Sequence, residues 1–247
     1  MKNNCLVCGS AVNPRALWDE RRNLGYAYCA GCDLYFRNPM DSDLAIADRY
    51  RSEPETNVIG YNRKAGYRKA ISRKRLHQAL RHIQNPKRLL EVGCATGFFL
   101  REARDAGLEV SGLELSESYA RHCRETGLDV RSEILEKNTF AKPFDVIANF
   151  DVFEHVADPL REVAVIRHYL APGGLWVLVL PVLNLEFRMH KEKWGHFNPD
   201  HNLLFSRRGM EQFLRKNGFE VLRPTGPLDA LTSFFTRGTF FVARKTA

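Results

Sequence analysis

Residues 89–115 constrain the fold of this chain more than any other segment. An apolar run, LLEV, leads into a turn that carries two glycines, a helical segment follows, and a second apolar run ends GLEL. Strands that alternate with helices are typical of a parallel sheet, and here Glu91 and Glu114 lie at the ends of the first two strands. In an open α/β sheet ligands bind at the carboxyl ends of the strands, and a carboxylate after the second strand reaches ribose hydroxyls. The segment therefore predicts a site for an adenosine-containing cofactor.

The turn distinguishes between two such cofactors. A dinucleotide fingerprint reads G-x-G-x-x-G and places a pyrophosphate at the helix N-terminus. Here the run is Gly93-Cys94-Ala95-Thr96-Gly97-Phe98, which lacks that glycine spacing. Glu91, two residues before the turn, would repel a pyrophosphate but suits a ligand with an ammonium and a sulfonium group. These features favour S-adenosylmethionine over NAD, and an ordinary strand–helix corner of another α/β domain is the alternative.

The segment resembles motif I, E/D-x-G-x-G-x-G, of class I S-adenosylmethionine-dependent methyltransferases. It departs from that motif at Ala95, which replaces the middle glycine, and strain is expected there if the position requires a positive φ. The stretch FDVIANFDVFEHVADP at 144–159 is similar to motif IV of small-molecule methyltransferases and includes the pair Glu154-His155. The resemblance covers about 87–222. It implies an α/β fold with a doubly wound, seven-stranded, mostly parallel sheet.

The chain after Pro86 carries seven strand patterns, and helical patterns separate the first five of them. The strand patterns lie at 88–92, 108–113, 128–132, 144–149, 175–180, 219–223 and 239–243. The last two are expected to form a hairpin. The order of the strands in the sheet is implied by the resemblance, because periodicity cannot supply it.

The resemblance also assigns roles to residues at the strand ends. Glu91 and the glycines of the turn would hold the methionine part of the cofactor, and Glu114 would bind the ribose hydroxyls. Glu133 and Ile134 would flank the adenine, and Asp151 would lie beside the sulfonium. The complete predicted cofactor site consists of Glu91, Gly93, Cys94, Ala95, Gly97, Glu114, Leu115, Ser116, Glu133, Ile134, Asn149 and Asp151.

Two histidines are predicted as catalytic residues. Methyl transfer from a sulfonium mainly requires that nucleophile, methyl group and sulfur be aligned, and a base helps when the nucleophile is a hydroxyl. His155 would serve as that base near neutral pH or would orient a loop, and both alternatives stay open. His196 lies in the histidine-rich, aromatic segment 184–206, which we interpret as a substrate lid. His201 precedes Phe205-Ser206 in a pattern found in related sequences and is favoured as a structural hydrogen bonder.

Four of the six cysteines form a set near the N-terminus. Cys5 and Cys8 form C-x2-C, twenty residues follow, and Cys29 and Cys32 form the second C-x2-C. This spacing lies within the zinc-ribbon pattern, in which two knuckles close a tetrahedral all-cysteine site. Four protein ligands leave no open position, so the predicted zinc is structural. The sequence MKNNCLVCGS has no apolar secretory segment, which disfavours disulfides as the alternative.

The composition divides the chain into three predicted parts: a zinc ribbon at 1–40, a basic helical connector at 41–85 and a methyltransferase domain at 86–247. The formal net charge is +8, and the stretch between Glu55 and Glu91 holds ten Lys or Arg residues and no acid. Such a stretch faces nucleic acid, a phosphate of the substrate or only solvent. The longest apolar run, Leu175–Leu183, is far shorter than the roughly 20 residues of a membrane helix. We therefore expect no membrane span, and the cytoplasm is the default compartment.

The ribbon bears on the substrate. The run CAGCDLYFRNP at 29–39 resembles bacterial methyltransferases of sugar, polysaccharide and natural-product pathways. The resemblance implies O- or N-methylation of a sugar, a nucleotide-sugar or a natural-product intermediate, with a phosphate-bearing small molecule as one form of the acceptor. One alternative is an RNA methyltransferase that uses the ribbon and the basic segment, although strand 4 lacks the Asn-Pro-Pro-aromatic motif of exocyclic-amine enzymes. Another is a non-catalytic cofactor-binding scaffold. The acceptor atom and the oligomeric state do not follow from the sequence.

Overall fold

The fold is described from a computed structural model of the chain, which covers residues 2–52, 54, 56–197, 199–222 and 238–246. The N-terminal third begins with three strands and continues with three helices. They are β1 (Asn13–Asp19), β2 (Leu24–Cys29), β3 (Leu34–Arg37), α1 (Asp43–Arg51), α2 (Thr56–Asn62) and α3 (Ala65–Leu80).

The remainder alternates strands with helices. It comprises β4 (Arg88–Val92), α4 (Phe98–Asp105), β5 (Glu109–Leu113), α5 (Glu117–Glu125), β6 (Val130–Arg131), β7 (Phe144–Phe150), a 3-10 turn (Phe153–His155), α6 (Pro159–Tyr169), β8 (Leu170–Leu180), β9 (Val182–Leu183), α7 (Leu185–His190), a second 3-10 turn (Lys191–Lys193), β10 (Leu203–Ser206), α8 (Arg207–Lys216), β11 (Phe219–Leu222) and β12 (Thr239–Lys245).

The main sheet has seven strands in the order β11-β12-β8-β7-β4-β5-β6. All neighbours are parallel except β12, which is antiparallel to both β11 and β8. This confirms the predicted doubly wound, mostly parallel sheet and the predicted hairpin of the last two strands. Each of the seven predicted strands has a counterpart in the sheet. The end of the sixth prediction, residue 223, lies outside the described residues.

Helix termini follow their sequence signals. Asp158 caps α6, and its Oδ1 accepts hydrogen bonds from the N–H groups of Leu160 and Arg161 at 3.0 Å each. Ser206 caps α8 through a bond from the Gly209 N–H at 2.9 Å. Such side-chain caps satisfy backbone donors that have no partner inside the helix.

A second sheet combines strands of the predicted zinc ribbon with strands of the predicted methyltransferase domain. Its order is β1-β2-β3-β10-β9, and β3 pairs antiparallel with β10 through partners such as Leu34 and Phe205. The first three strands come from the cysteine-bearing segment, whereas β9 and β10 come from the chain after strand β8. The boundaries of ribbon, connector and methyltransferase domain stay a prediction. The pairing of β3 with β10 shows that this sheet contains strands of both the ribbon and the methyltransferase domain. Strands β1, β9 and β10 are not predicted by periodicity.

The segment after β9 packs onto this second sheet. Trp194 and Phe197 are 2% and 1% exposed, and they lie in one apolar cluster with Leu17, Leu24 and Tyr26 of the first two strands. The Tyr26 and Phe197 rings are 4.9 Å apart. The aromatic residues predicted as part of a substrate lid therefore form a packed core between the lid segment and the ribbon.

Helix α3 carries basic residues on two faces. One alternative for the basic stretch places its charges in solvent, and Arg73 and Lys74 are exposed accordingly. Arg68 and Arg75 lie instead on the face that carries the buried Ser72 and Ala79, because a spacing of three or four residues returns to the same side of a helix. In the described part of the chain, no helix has both the length and the apolar character that are needed to cross a membrane.

Candidate functional site

A cavity of about 450 Å³ opens at the carboxyl ends of β4, β5 and β7. Strand β4 lies between β7 and β5 in the sheet, so residues after β5 and residues after β7 form opposite walls. The residues that these strand ends and the segment after β6 contribute are Val92, Gly93, Ala95, Leu113, Glu114, Leu115, Glu133, Ile134, Leu135, Phe150, Asp151, Val152 and His155.

The turn after β4 forms the floor of the cavity. Gly93 has φ of 75°, and a Cβ placed on it would lie 2.3 Å from Val152 Cγ2, so only glycine fits there. Ala95 has φ of 47°. The position therefore requires a positive φ, and alanine carries the strain that the sequence comparison with motif I predicts.

Glu114 is held rigidly beside this turn. Its Oε2 accepts the Ala95 N–H at 2.7 Å, and its Oε1 accepts the Ser116 N–H at 2.9 Å. The residue is 8% exposed and lines the cavity. A carboxylate positioned by two backbone donors can accept further hydrogen bonds from the two hydroxyls of a ribose.

Glu91 is a buried acid with one unpaired carboxyl oxygen in the described structure. It is 4% exposed, and within the described structure its Oε2 has no hydrogen-bond partner. Burial raises the pKa of Glu91 well above its usual value, and the charge of Arg75 opposes this shift. A buried carboxylate of this kind is costly unless a cationic group pairs with it. The Glu91 carboxylate therefore fits the ammonium group of S-adenosylmethionine, which could donate hydrogen bonds to it.

The connector supplies a wall of the cavity that the sequence does not predict. Ile46, Tyr50, Tyr61 and Arg68 all line the cavity. Arg68 Nε donates to the Tyr61 carbonyl at 2.9 Å, and the guanidinium lies 3.2 Å from the centre of the Tyr61 ring. Tyr119 on α5 lies across from Tyr61, with ring centres 5.6 Å apart. No motif or spacing in the sequence marks these residues, because they reach the site only through packing of α1, α2 and α3.

Arg75 extends the same wall without lining the cavity directly. Its guanidinium carbon lies 4.5 Å from the centre of the Phe150 ring. Burial lowers the pKa of Arg75, while the charges of Asp151 and Glu91 oppose the shift. The cavity region thus brings buried acids and buried arginines close together.

The structure brings eight of the fourteen predicted cofactor and catalytic residues onto the cavity wall. These eight are Gly93, Ala95, Glu114, Leu115, Glu133, Ile134, Asp151 and His155. The other six lie behind or beside it: Glu91, Cys94, Gly97, Ser116, Asn149 and His196.

Apart from Glu91, which is described above, the other five residues have different positions. The Asn149 side chain is fully buried, and its Oδ1 accepts the Trp176 Nε1–H at 2.7 Å beneath the cavity. Cys94 is buried, and its Sγ lies 3.0 Å from where a Cβ on Gly112 would be. Gly97 and Ser116 are the N-cap residues of α4 and α5. His196 stacks on His201, with ring centres 5.6 Å apart.

Asp151 and His155 define the wall that follows β7. Asp151 has φ of 57°, and its N–H donates to the Val179 carbonyl at 2.8 Å. Burial raises the pKa of Asp151, and the nearby charges of Arg75 and His155 oppose this. Burial lowers the pKa of His155, so its ring is neutral near pH 7. His155 Nδ1 donates to the Asp200 carbonyl at 2.6 Å, which ties the 3-10 turn to the segment before β10.

That segment is in turn held by the ribbon. Arg22 Nη1 donates to the Phe197 carbonyl at 2.8 Å, and the Tyr26 hydroxyl donates to the His201 carbonyl at 2.5 Å. On its other side, Asn202 donates its backbone N–H to the Glu154 carbonyl at 2.7 Å and its side-chain Nδ2 to the His155 carbonyl at 2.8 Å. A continuous series of hydrogen bonds therefore runs from the ribbon to the Glu154-His155 pair.

The four N-terminal cysteines converge on one point. One sulfur from each of Cys5, Cys8, Cys29 and Cys32 lies within 4.8 Å of the others. The Cys5–Cys32 and Cys8–Cys29 sulfur pairs are 3.9 Å and 3.6 Å apart. Zinc–sulfur bonds of about 2.3 Å in a tetrahedron require sulfurs about 3.8 Å apart. The thiol set therefore fits a structural zinc ion.

Sequence comparison identifies the family. A family profile described as "Methyltransferase domain" matches residues 61–223. The chain belongs to the class I S-adenosylmethionine-dependent methyltransferases. A ubiquinone biosynthesis O-methyltransferase of Nitrosococcus oceani is 30% identical over 158 residues, which are 57% of this chain and 66% of that enzyme. The alignment thus leaves a third of the relative uncovered.

Solved structures share the fold at low sequence identity. One belongs to the complex between the Haloferax volcanii Trm112 methyltransferase activator and a methyltransferase, with a TM-score of 0.61, 18% identity and coverage of 80% of this chain and 97% of that one. Another is magnesium protoporphyrin IX methyltransferase from Synechocystis with bound SAH, with a TM-score of 0.59, 13% identity and coverage of 83% and 100%. These likenesses support the fold that the sheet order defines.

Proposed function

We propose that this protein transfers a methyl group from S-adenosylmethionine to a hydroxyl oxygen of a small-molecule acceptor. The observation that carries the proposal is the cavity with Glu114 on one wall and Asp151 with His155 on the other. The first carboxylate suits a ribose, and the second pair suits an acceptor that must lose a proton. The name of the Nitrosococcus oceani relative, an O-methyltransferase, supports oxygen as the accepting atom.

Residues of the cavity region would hold the cofactor from three sides. Glu114 would accept both ribose hydroxyls, Glu91 would pair with the ammonium, and Arg75 or Arg68 would pair with the carboxylate. Leu115 and Ile134 would enclose the adenine. S-adenosylmethionine, when bound, supplies a methyl group on a sulfonium. The protein aligns the acceptor with that methyl group, and alignment alone can contribute a large part of the rate.

The acceptor must give up its hydroxyl proton, and Asp151 and His155 are the two candidate bases. Desolvation raises the basicity of Asp151, and the neutral ring of His155 can also accept a proton. His196 lies beside His201 and away from the cavity wall, so its predicted catalytic role has less support than that of His155.

Ile46, Tyr50 and Val156 give the cavity an apolar and aromatic wall, which suits a hydroxylated ring compound as the acceptor. The finer expectation of a sugar or nucleotide-sugar rests on the resemblance of the ribbon alone. The RNA alternative loses two of the ten basic residues between Glu55 and Glu91, because Arg68 and Arg75 lie on the buried face of α3.

We also propose that the four N-terminal cysteines hold a structural zinc ion. The sulfur spacing supports it, and four ligands would leave no position for a substrate. The Val7 N–H donates to Cys5 Sγ at 3.3 Å, as expected of a knuckle that stabilises a thiolate.

Calorimetric titration with S-adenosylmethionine tests the main proposal. Glu114→Gln should weaken binding at least 10-fold, because hydrogen bonds to a charged acceptor contribute about 1.5–3 kcal/mol. Glu125→Gln, an exposed acid at the end of α5, is the matched control and should bind like the wild type. Absence of binding to the wild type would refute the proposal. Mass spectrometry of products from catechol, sugar and nucleotide-sugar acceptors would then separate the substrate classes.

A further inference from the structure

A second group of potential metal ligands lies next to the cavity. Glu154, His155 and His201 each offer one ligand atom, and in the described part of the chain these atoms lie within 4.8 Å of one another. His155 Nε2 lies 4.0 Å from Glu154 Oε1. The group is separate from the cysteine cluster, and the family resemblance assigns no metal to it.

The two histidine rings are oriented as metal ligands usually are. His155 Nδ1 bonds to the Asp200 carbonyl at 2.6 Å, and His201 Nδ1 bonds to the His196 carbonyl at 2.9 Å. Because a carbonyl oxygen can only accept, Nδ1 carries the proton in both rings. Each Nε2 is therefore left with a lone pair. A histidine that donates its other N–H to a backbone carbonyl is the common arrangement around protein metal sites.

Glu154 supplies the negative charge of the group. It is 1% exposed, and among the described residues its Oε2 has no hydrogen-bond partner. The Oδ1 of the neighbouring Asn202 is also buried without a partner in that part of the structure. The group therefore combines a buried carboxyl oxygen that has no partner among the described residues with two imidazole nitrogens that each keep a lone pair.

We propose that Glu154, His155 and His201 bind one divalent transition-metal cation at the acceptor side of the cavity. Imidazole and carboxylate ligands suit zinc and its first-row neighbours. Ligand distances of about 2.0–2.2 Å require the three donor atoms to approach by about 1 Å, which side-chain rotation can provide. Three protein ligands leave a coordination position open. His155 lines the cavity, so the site adjoins the space in which the acceptor would bind.

This inference deepens the proposed function and rests on it for the role of the cation. An acceptor hydroxyl bound to the cation would have a lower pKa and would be methylated more readily. The Nε2 lone pair of His155 would then be used in metal binding. Asp151 would remain to take the hydroxyl proton, so each group on this wall has one task.

Metal stoichiometry of the purified full chain tests the proposal. Chain stripped of metal and then titrated with Zn²⁺ should bind two equivalents, one in the cysteine cluster and one in the Glu154 group. Glu154→Gln, which keeps the shape of the side chain, and His201→Gln should each bind one. Glu125→Gln should still bind two. Co²⁺ provides the spectroscopic check, because thiolate ligands give intense charge-transfer absorption that imidazole and carboxylate ligands lack.

We expect the second Co²⁺ equivalent to add weak absorption without a thiolate band. Glu154→Gln should remove this second binding step and leave the thiolate band of the first equivalent unchanged. One equivalent in the wild type, or an unchanged count of two in both variants, would overturn it. Binding of S-adenosylmethionine is measured on the same samples and should be unaffected by Glu154→Gln. If the wild type did not bind S-adenosylmethionine, the proposed function would be refuted. The metal stoichiometry would still show whether the Glu154 group binds a cation.

Discussion

Ala95 is the residue at which this chain departs from its family motif, and its backbone shows the cost. With φ of 47°, the alanine occupies the left-handed region, in which a Cβ costs about 1–2 kcal/mol. Its N–H is nevertheless used, since it donates to Glu114 Oε2 at 2.7 Å. The motif geometry is therefore kept without the middle glycine, at the expense of stability.

Ala95→Gly should stabilise the protein by about 0.5–1 kcal/mol, because relief of the left-handed strain exceeds the entropy that glycine loses on folding. Denaturant unfolding measures the change. Ala70→Gly is the matched control, since Ala70 is an exposed residue inside α3 and should lose about 1 kcal/mol. Destabilisation by both substitutions would show that Ala95 is unstrained.

Glu91→Gln should change the pH dependence of stability in the cofactor-free protein. The folded pKa of Glu91 is raised, so the acid contributes its full stability below the unfolded value of about 4.5, and that contribution is lost as pH rises toward the folded pKa. Glutamine does not ionise, so the stability of the variant relative to wild type should increase from pH 4.5 to pH 7. Thermal unfolding at several pH values measures this.

The same substitution should weaken S-adenosylmethionine binding about 10-fold or more, because the ammonium loses its buried partner. The two effects thus have opposite signs near pH 7. A pH-independent difference in stability between wild type and variant would contradict the burial of a titrating Glu91.

At the scale of elements, the contact between the ribbon and α8 is unusually close. A Cβ placed on Gly209, in the first turn of α8, would lie 2.4 Å from the Cys32 carbonyl oxygen and 2.7 Å from that of Asp33. Both atoms belong to the backbone of the second cysteine knuckle. The Ser206 N–H also donates to the Asp33 carbonyl at 3.0 Å. The knuckle is therefore packed directly on the helix start.

Gly209→Ala should destabilise the protein by about 1–3 kcal/mol, because the added methyl group must displace backbone atoms. Gly66→Ala is the control: Gly66 is also helical, and an added Cβ would meet nothing within 4 Å. That substitution should stabilise by about 0.5 kcal/mol through helix propensity. Chemical denaturation of the two variants tests the packing, and equal effects would contradict it.

At the scale of the whole molecule, the ribbon acts on the site through the segment before β10. The hydrogen bonds from Arg22 and Tyr26 reach Phe197 and His201, and Asn202 connects onward to His155. The cavity lining, by contrast, includes no residue of the first three strands. The ribbon should therefore influence the acceptor side of the cavity and leave cofactor binding largely intact.

Cys29→Ser, which removes one ligand of the proposed zinc ion, should lower kcat for methyl transfer at least 10-fold while the Kd for S-adenosylmethionine changes less than twofold. Hydrogen exchange should increase in residues 199–206, since their anchoring bonds to the ribbon weaken. Cys123→Ser, at a buried cysteine outside the metal set, controls for loss of a thiol. Unchanged kcat in a variant that has lost zinc would contradict this coupling.

The sequence by itself determined the sheet and the ligand type. Apolar strands and capping residues are local features, so the seven strands and the cap at Asp158 could be read without tertiary information, whereas the positive φ at Ala95 was only a condition until the structure showed it. Glu91 and Glu114 were also readable, because strand ends in a parallel sheet meet at one edge.

Only the tertiary structure decided which connector residues reach the cavity and what the histidines do. Tyr61 and Arg68 arrive through helix packing, and β10 joins β3 across more than 160 residues of sequence. Glu154, His155 and His201 likewise come together from two distant segments. Such contacts depend on how whole elements pack, and no local pattern records them. The glycine turn at 93–97 therefore predicted the cofactor, whereas the acceptor side of the site became visible only in the folded chain.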